Sequence, residues 1–261
     1  MMTDDQIQMH KLETKDITMK FGEETIIRDI SISVDQGELV SLLGVSGSGK
    51  TTLFNCISGI YTPAGGKVIL DGEDITGTTG RISYMLQKDL LLPYKTIEDN
   101  VALPLMVRGT PRNDARAQAS AHFEEFGLEG TQKKYPKQLS GGMRQRAALL
   151  RTYLFSNNVA LLDEPFSALD TITKGRIHRW YLDVMEKINL TTVFITHDIN
   201  EAILLSDRIY IMTGRPGEIR SEVKINTPRG KRQDYDLSDE FMEYKRQIMG
   251  ILDEGKKETK E

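Results

Sequence analysis

GVSGSGKTT, residues 44–52, carries the pattern G-x-x-x-x-G-K-[ST] at Gly44, Gly49, Lys50 and Thr51. A chain of phosphates has to be wrapped at close range by backbone N–H groups. Side chains would block that approach, which accounts for Gly44, Gly47 and Gly49. The Lys50 ammonium can reach β and γ oxygens, and the Thr51 hydroxyl can ligate Mg²⁺. The surroundings agree. GELVSLLG (37–44) reads as a buried strand entering the loop, and KTTLFNCISGI (50–60) reads as a helix leaving it with its positive dipole end toward the loop.

Working outward, IQMHKLETKDITMKF (7–21) and TIIRDISISV (25–34) alternate as antiparallel strands do, and GKVILDG (66–72) and RISYML (81–86) add two more. From about 96 to 156 the texture is helical: TIEDNVALPLMVRG, NDARAQASAHFEEFGL and GGMRQRAALLRTYLF have helical periodicity and few β-branched residues between them. The α/β rhythm then returns with NVALLDEP (158–165), a helix over 171–188, TTVFITH (191–197), a helix over 199–206 and RIYIMTG (208–214). Residues 218–226 read as a short strand, SDEFMEYKRQIMGILDEG (238–255) as a helix, and KKETKE as a frayed tail. Such alternation predicts a mostly parallel sheet flanked by helices.

Two further stretches bear on chemistry. VALLDEP (159–165) is an apolar strand ending in adjacent carboxylates, a strand end that can sit beside the phosphate loop at the carboxyl edge of the sheet. Asp163 would hold Mg²⁺; Glu164 would orient and polarise an attacking water or accept its proton. His197 follows another apolar strand, TVFIT; it is either structural or a hydrogen-bond partner of a γ-phosphate oxygen. LSGGMRQR (139–146) poses a separate question. It is a Ser-Gly-Gly turn opening a helix, a second place to hold an anion far along the chain from the first.

The bulk properties set limits. The chain has 261 residues, 39% hydrophobic and 28% charged, enough for one large domain with a substantial core. A formal net charge of −4 argues against nucleic acid as the main partner. The single cysteine, Cys56, rules out an internal disulfide and a cysteine-based zinc site, and its apolar neighbours mark a buried small hydrophobe. MMTDDQIQMHKLE has no basic start followed by an apolar run, and no stretch approaches the ~18 apolar residues of a membrane span. The expectation is a cytoplasmic protein that works at a membrane only through a partner.

Taken together, the chain resembles the nucleotide-binding subunit of an ATP-binding cassette (ABC) transporter over nearly its whole length. GVSGSGKTT is similar to Walker A, the glutamine of YMLQKD (Gln87) to the Q-loop, LSGGMRQR to the family signature, ALLDEP to Walker B, SALD (167–170) to the D-loop and THD (196–198) to the switch histidine. The resemblance implies an α/β fold of the P-loop NTPase, ABC ATPase type: a mostly parallel core sheet, an antiparallel β subdomain and an inserted helical subdomain. It implies one domain, with 1–95 and 157–226 as α/β core, 96–156 as helical subdomain carrying the signature, and 227–261 as a C-terminal extension.

It also implies ATP and Mg²⁺ as cofactors and answers the question of the second turn. In the family two cassettes pack head to tail, and the P-loop of one and the signature of the other enclose one ATP. On that pattern Val45, Ser46, Ser48 and Thr52 join Gly44, Gly47, Gly49, Lys50 and Thr51 around the phosphates. Ser140, Gly141 and Gly142 close the partner's site, and Asp170 crosses to the other subunit. Phe21 stands where the family places an aromatic that stacks on adenine, with Tyr commoner there. Gln87 would touch the metal or the lytic water; Glu164, His197, Gln87 and Lys50 form the catalytic set, and Thr51, Gln87 and Asp163 the metal set. Val45 replaces a common Pro and Thr51 a common Ser, neither of which should disturb phosphate binding.

LLPYKTIEDNVALPL (91–105) resembles the importer version of its segment, near the groove that receives a cytoplasmic helix of the permease. IMTGRPGEI (211–219) resembles the nitrate/sulfonate/taurine import group, which also includes transporters of vitamin precursors. The implied protein is a homodimeric ATPase beneath a membrane permease that is fed by a separate substrate-binding protein. An ATPase of an exporter or lipid-extraction complex is the alternative, and a soluble cassette protein of translation or DNA repair a more distant one.

Overall fold

The computed structural model describes residues 10–155, 159–167, 171–232 and 234–258. The chain opens with a hairpin, β1 (Leu12–Phe21) and β2 (Glu24–Val34), paired antiparallel. Alternation buries Leu12, Thr14, Ile17 and Met19 and exposes Lys15 and Asp16. The period slips at Asp16, whose φ of 51° accompanies a register shift between Thr14 and Ile17. β3 (Leu39–Gly44) is buried at every position, as a central parallel strand should be, and leads through the phosphate loop into α1 (Lys50–Ile57). β4 (Gly65–Leu70) and β5 (Glu73–Asp74) return to the hairpin, giving a four-stranded antiparallel sheet of order β2-β1-β4-β5. β6 (Ser83–Met85) follows.

The helical stretch comes next: α2 (Ile97–Val101), α3 (Leu103–Val107), α4 (Arg112–Ser120) and α5 (Gly141–Phe155). The single periodic run expected over TIEDNVALPLMVRG divides at Ala102, because Pro104 lacks the N–H that a continuous helix would use and instead sits near the start of α3. The helix expected through NDARAQASAHFEEFGL ends at Ser120 and gives way to turns over 121–127. There the aromatic rings decide: Phe126 packs 5.9 Å from Trp180 and 6.0 Å from Tyr153, and Gly127 takes a φ of 61°. Asp99 on α2 is buried and receives both Arg112 and Arg116 of α4, with closest contacts of 2.8 Å, which ties these short helices together.

β7 (Val159–Asp163), α6 (Thr171–Ile188), β8 (Thr191–Thr196), α7 (Ile199–Leu205) and β9 (Arg208–Thr213) restore the α/β alternation, and β10 (Glu218–Lys224) closes it. The second sheet has the order β10-β9-β3-β8-β7-β6 and is parallel except for β10 on β9. Its two faces bury different cores. Val159 and Leu161 of β7 point into the cluster that also holds Phe54 and Cys56 of α1 and the inner face of the antiparallel sheet. Ala160 and Leu162 point the opposite way, into the cluster formed with the helical stretch and α6.

A third cluster anchors the C-terminal residues. α8 (Asp239–Glu258) lays Phe241 and Ile248 on Ile209, Ile211 and Val223, and its backbone continues helical through Glu258, three residues into the stretch expected to fray. Arg232, almost wholly buried, donates to the carbonyls of Ile203, Leu204 and Ser206 at the end of α7, at 3.1, 3.1 and 2.7 Å. Among the described residues no helix is long and apolar enough to cross a membrane.

Candidate active site

The carboxyl ends of four neighbouring parallel strands converge. β3 runs into the loop 44–49, β6 stops two residues before Gln87, β7 ends in Asp163 and Glu164, and β8 ends immediately before His197. Ligands of open α/β sheets bind at this edge. A cavity of about 570 Å³ lies there, lined by Ser46, Gly47, Gly49, Lys50, Thr51 and Thr52 on one side and by Gln87, Asp163, Glu164 and His197 on the other.

The loop's shape depends on its glycines. Gly49 has a φ of 92°, and a Cβ there would run into Ile27; a Cβ on Gly44 would run into the Met212 carbonyl oxygen. Lys50 folds its ammonium back to donate to the Gly44 and Val45 carbonyls, each at 2.8 Å. Burial lowers its pKa, opposed by the charges of Glu164 and Asp163. Ser48 is 1% exposed, so it offers the loop its backbone while its side chain faces inward.

Thr51 Oγ1 donates to Asp163 Oδ2 at 3.1 Å. Burial raises the Asp163 pKa, as does the charge of Glu164; Thr51, Lys50 and the Tyr84 hydroxyl act in the opposite direction. Glu164 has a φ of 45°, a conformation that a non-glycine residue adopts only where its surroundings impose it. Its N–H donates to the Ile195 carbonyl at 3.1 Å, locking the bend onto β8. Each carboxylate oxygen then has its own partner: Gln87 Nε2 donates to Oε2 at 3.0 Å, and His197 Nδ1 lies 3.0 Å from Oε1. A carboxylate oriented in this way is placed to act on a water in the cavity.

Phe21 stands apart from this cavity, half exposed at the end of β1, with its ring edge-on to Tyr61 at 5.5 Å. Ser140, Gly141 and Gly142 are also separate. They open α5, where Ser140 Oγ accepts from the Met143 N–H at 3.3 Å, and they contribute nothing to the cavity lining. Asp170 lies outside the described residues. Three participants escaped the sequence reading: Tyr61 beside Phe21, Ile26 in the cavity wall, and Tyr84, whose hydroxyl lies buried near Asp163. The alternation of β6 in RISYML marks Tyr84 only as a strand residue, and nothing local foretells its neighbour on β7. Cys56 is wholly buried, as its apolar context implied, and burial pushes its thiol pKa up to about 11.

Sheet order, loop and carboxylates define a P-loop nucleotide hydrolase. Comparison with known proteins narrows the class. Residues 27–167 match the family model described as ABC transporter. The chain is 45% identical over 200 residues to the formylaminopyrimidine import ATP-binding protein ThiZ of Halalkalibacterium halodurans, covering 77% of this chain and 78% of that one. It is 35% identical over 254 residues to the nitrate import ATP-binding protein NrtD of a Synechocystis strain, covering 94% and 95%. It is 36% identical over 244 residues to an aliphatic sulfonates import ATP-binding protein SsuB of Bacillus cereus, covering 93% and 94%. Among solved structures it resembles a dimeric ATP-binding cassette in a post-hydrolysis state bound to ADP and Pi, with a TM-score of 0.70 and 30% identity, over 83% of this chain and all of that one. The chain belongs to the ABC transporter family. It has the fold of an ABC ATPase and is an ATP-hydrolysing subunit of the importer type.

Proposed function

We propose that two copies of this chain close over two ATP molecules, each enclosed by the P-loop of one copy and the signature turn of the other. What supports this reading most is the separation within one chain. One glycine turn shares a cavity with Lys50, Thr51, Gln87, Asp163, Glu164 and His197, and the other, at 140–142, is no part of that cavity's lining. A solved structure to which the chain is similar is a dimeric cassette bound to ADP and Pi, which supports a two-copy assembly.

The reaction is attack of water on the γ-phosphate. Glu164 orients that water and takes up its proton. Lys50, released from the loop carbonyls, and the N–H groups of 46–52 bear the charge that develops on the transferring phosphoryl group. His197 holds Glu164 and senses the γ-phosphate; Ser140, Gly141 and Gly142 complete the enclosure from the second copy, Asp170 crosses between copies, and Phe21 offers a ring face to adenine. Thr51 and Asp163, with the amide oxygen of Gln87, form an all-oxygen donor set that suits Mg²⁺, which takes few protein ligands and completes its shell with phosphate and water. Mg²⁺ held by these residues would supply positive charge against the phosphates.

The importer reading extends to partners. A groove of about 260 Å³, lined by Ile60, Tyr84, Pro104, Arg151 and Phe155, lies between the α/β core and the helices, and Leu90, Tyr94 and Val107 are exposed on the segments beside it. Such a surface suits an amphipathic helix of a permease, which would hold the chain at the inner face of the membrane, with a substrate-binding protein feeding the far side. Segments 96–156 and 227–261 then form the helical subdomain and the C-terminal extension of one cassette. The cargo belongs to the nitrate, sulfonate or vitamin-precursor range. The test is co-purification with a candidate permease from the same cell, followed by ATPase assay in liposomes with and without a candidate binding protein and cargo. Cargo-stimulated turnover is expected; turnover indifferent to permease and binding protein would refute the importer role.

A further inference from the structure

Glu201 is a buried carboxylate, 4% exposed, that the ATP reaction does not use. It lies in the first turn of α7, one turn beyond His197. Its Oε2 accepts from Thr196 Oγ1 at 2.7 Å, and its Oε1 lies 2.7 Å from Lys174 Nζ, which comes from α6. Lys174 also stands 3.5 Å from Asp198 Oδ2. Asp198 caps α7: its Oδ1 accepts from the N–H groups of Asn200 and Glu201 at 2.9 and 3.3 Å, and its own N–H donates to Thr196 Oγ1 at 3.0 Å. The residues on both sides of His197 are therefore fastened, through side chains, to one ion pair between buried Glu201 and partly exposed Lys174 of α6.

His197 itself has no comparable support. Its side chain is 59% exposed, and Glu164 is its polar partner. An exposed ring takes its position from the backbone that carries it, so what holds 196–198 also aims the imidazole. Burial alone would raise the Glu201 pKa, but His178, Lys174 and Thr196 outweigh it and hold the group at about 2. His178 Nε2, 3.6 Å from Oε1, completes the surroundings of that oxygen. A desolvated ion pair adds little net stability compared with an apolar replacement, but it does fix one geometry.

We propose that Lys174 and Glu201 are positioning residues for His197, clamping the 196–198 turn to α6 so that the ring meets Glu164. The proposal rests on the roles given above to His197 and Glu164. Lys174→Met, Lys174→Arg and Glu201→Gln are made in the full chain. For each, kcat, KM for MgATP and the NMR contacts of the His197 ring with Glu164 are measured, the ring signal being assigned among the four histidines by its loss in His197→Ala. Lys174→Met should lower kcat on the order of tenfold, since misplacing a reacting group by about 1 Å can cost ~10²-fold. KM should stay within about twofold, the NMR contacts between the His197 ring and Glu164 should weaken, and Lys174→Arg should restore both kcat and those contacts. Glu201→Gln should act in the same direction, and the Lys174→Met/Glu201→Gln double variant should be no worse than the poorer single one.

A folded Lys174→Met protein with parental kcat and unchanged NMR contacts of the His197 ring would overturn the proposal. So would a kcat loss that Lys174→Arg fails to restore while those contacts stay in place. If Glu201→Gln does not fold, the two Lys174 variants decide the matter. Failure of the underlying reading looks different: His197→Ala would then hydrolyse ATP at the parental rate, while the NMR contacts of the His197 ring would still respond to Lys174→Met.

Discussion

The two glycine turns are alike in local chemistry and opposite in surroundings. The turn at 44–49 opens an eight-residue helix and the one at 140–142 a fifteen-residue helix. Around the first, four strand ends deliver an ammonium, two carboxylates, an amide and an imidazole. Around the second stand residues that fix the turn: Arg144 donates to the Leu139 carbonyl at 2.9 Å and to Asp89 at 3.1 Å, and Arg151 donates to the carbonyls of Asp89 and Leu90. Asp89 is two residues beyond Gln87, so α5 is tied to the segment that carries Gln87. The difference teaches that the titratable groups gather at the sheet edge, while the turn at 140–142 is fastened through its helix to the Gln87 segment.

The largest expected effect removes chemistry from the first turn alone. Glu164→Gln should lower kcat by ~10²–10⁴-fold, the range for a positioned proton-transfer group, with ATP affinity intact. Steady-state hydrolysis and equilibrium ATP binding check this. The counterpart on the second turn is Ser140→Arg, which should cost at least ~10²-fold in turnover, comparable to losing an oxyanion donor, without weakening nucleotide binding to the single chain. If Ser140→Arg instead abolished binding by the isolated chain, the two turns would belong to one site.

A smaller effect separates the stabilities of the two regions. Asp99→Asn removes the charge that Arg112 and Arg116 share and should cost about 2 kcal/mol in denaturant unfolding, below the ~3–5 kcal/mol of a fully buried pair because Arg112 is well exposed. The hydrogen bonds of Arg116 dominate the causes that hold the Asp99 pKa far below the usual carboxylate range. A depressed carboxylate contributes stability that is complete above its unfolded pKa and lost as pH falls through the folded value. For Asp99, and for Glu201 at about 2, the loss should therefore begin below roughly pH 4.5 and deepen toward pH 2. Acid titration of stability in parent and Asp99→Asn should show a shallower slope in the variant. The smallest effect lies beneath the first turn: Cys56, raised to about 11 and wholly buried, should resist alkylation at pH 8 until the chain unfolds.

Much of this was legible in the sequence because the relevant signals are local. The phosphate loop, the paired carboxylates and the strand preceding His197 each carry strand, turn and chemistry in one short run of sequence, and the strands and long helices follow from hydrophobic period. What escaped depends on distant partners. The end of α4 at Ser120 is set by Phe126 against Trp180 and Tyr153, a choice that helical periodicity cannot contain. Tyr84 near Asp163 and Lys174 against Glu201 meet only once the sheet order is fixed. The φ of Glu164 is imposed by its bond to Ile195 on the neighbouring strand, so a sequence could reveal the carboxylate but not its bend.

The most direct test of two half-sites is complementation. Lys50→Ala chains have a disabled P-loop and Ser140→Arg chains a disabled signature, and each should be inactive alone. Mixed, they can form a pair in which the intact P-loop of one faces the intact signature of the other. ATPase activity should return on mixing, rise with the concentration of the limiting chain and approach about half the parental rate per pair, one of two sites being whole. Ser140→Arg hydrolysing ATP at the parental rate by itself, or a mixture as inert as its components under conditions where the parent is dimeric, would contradict the shared site.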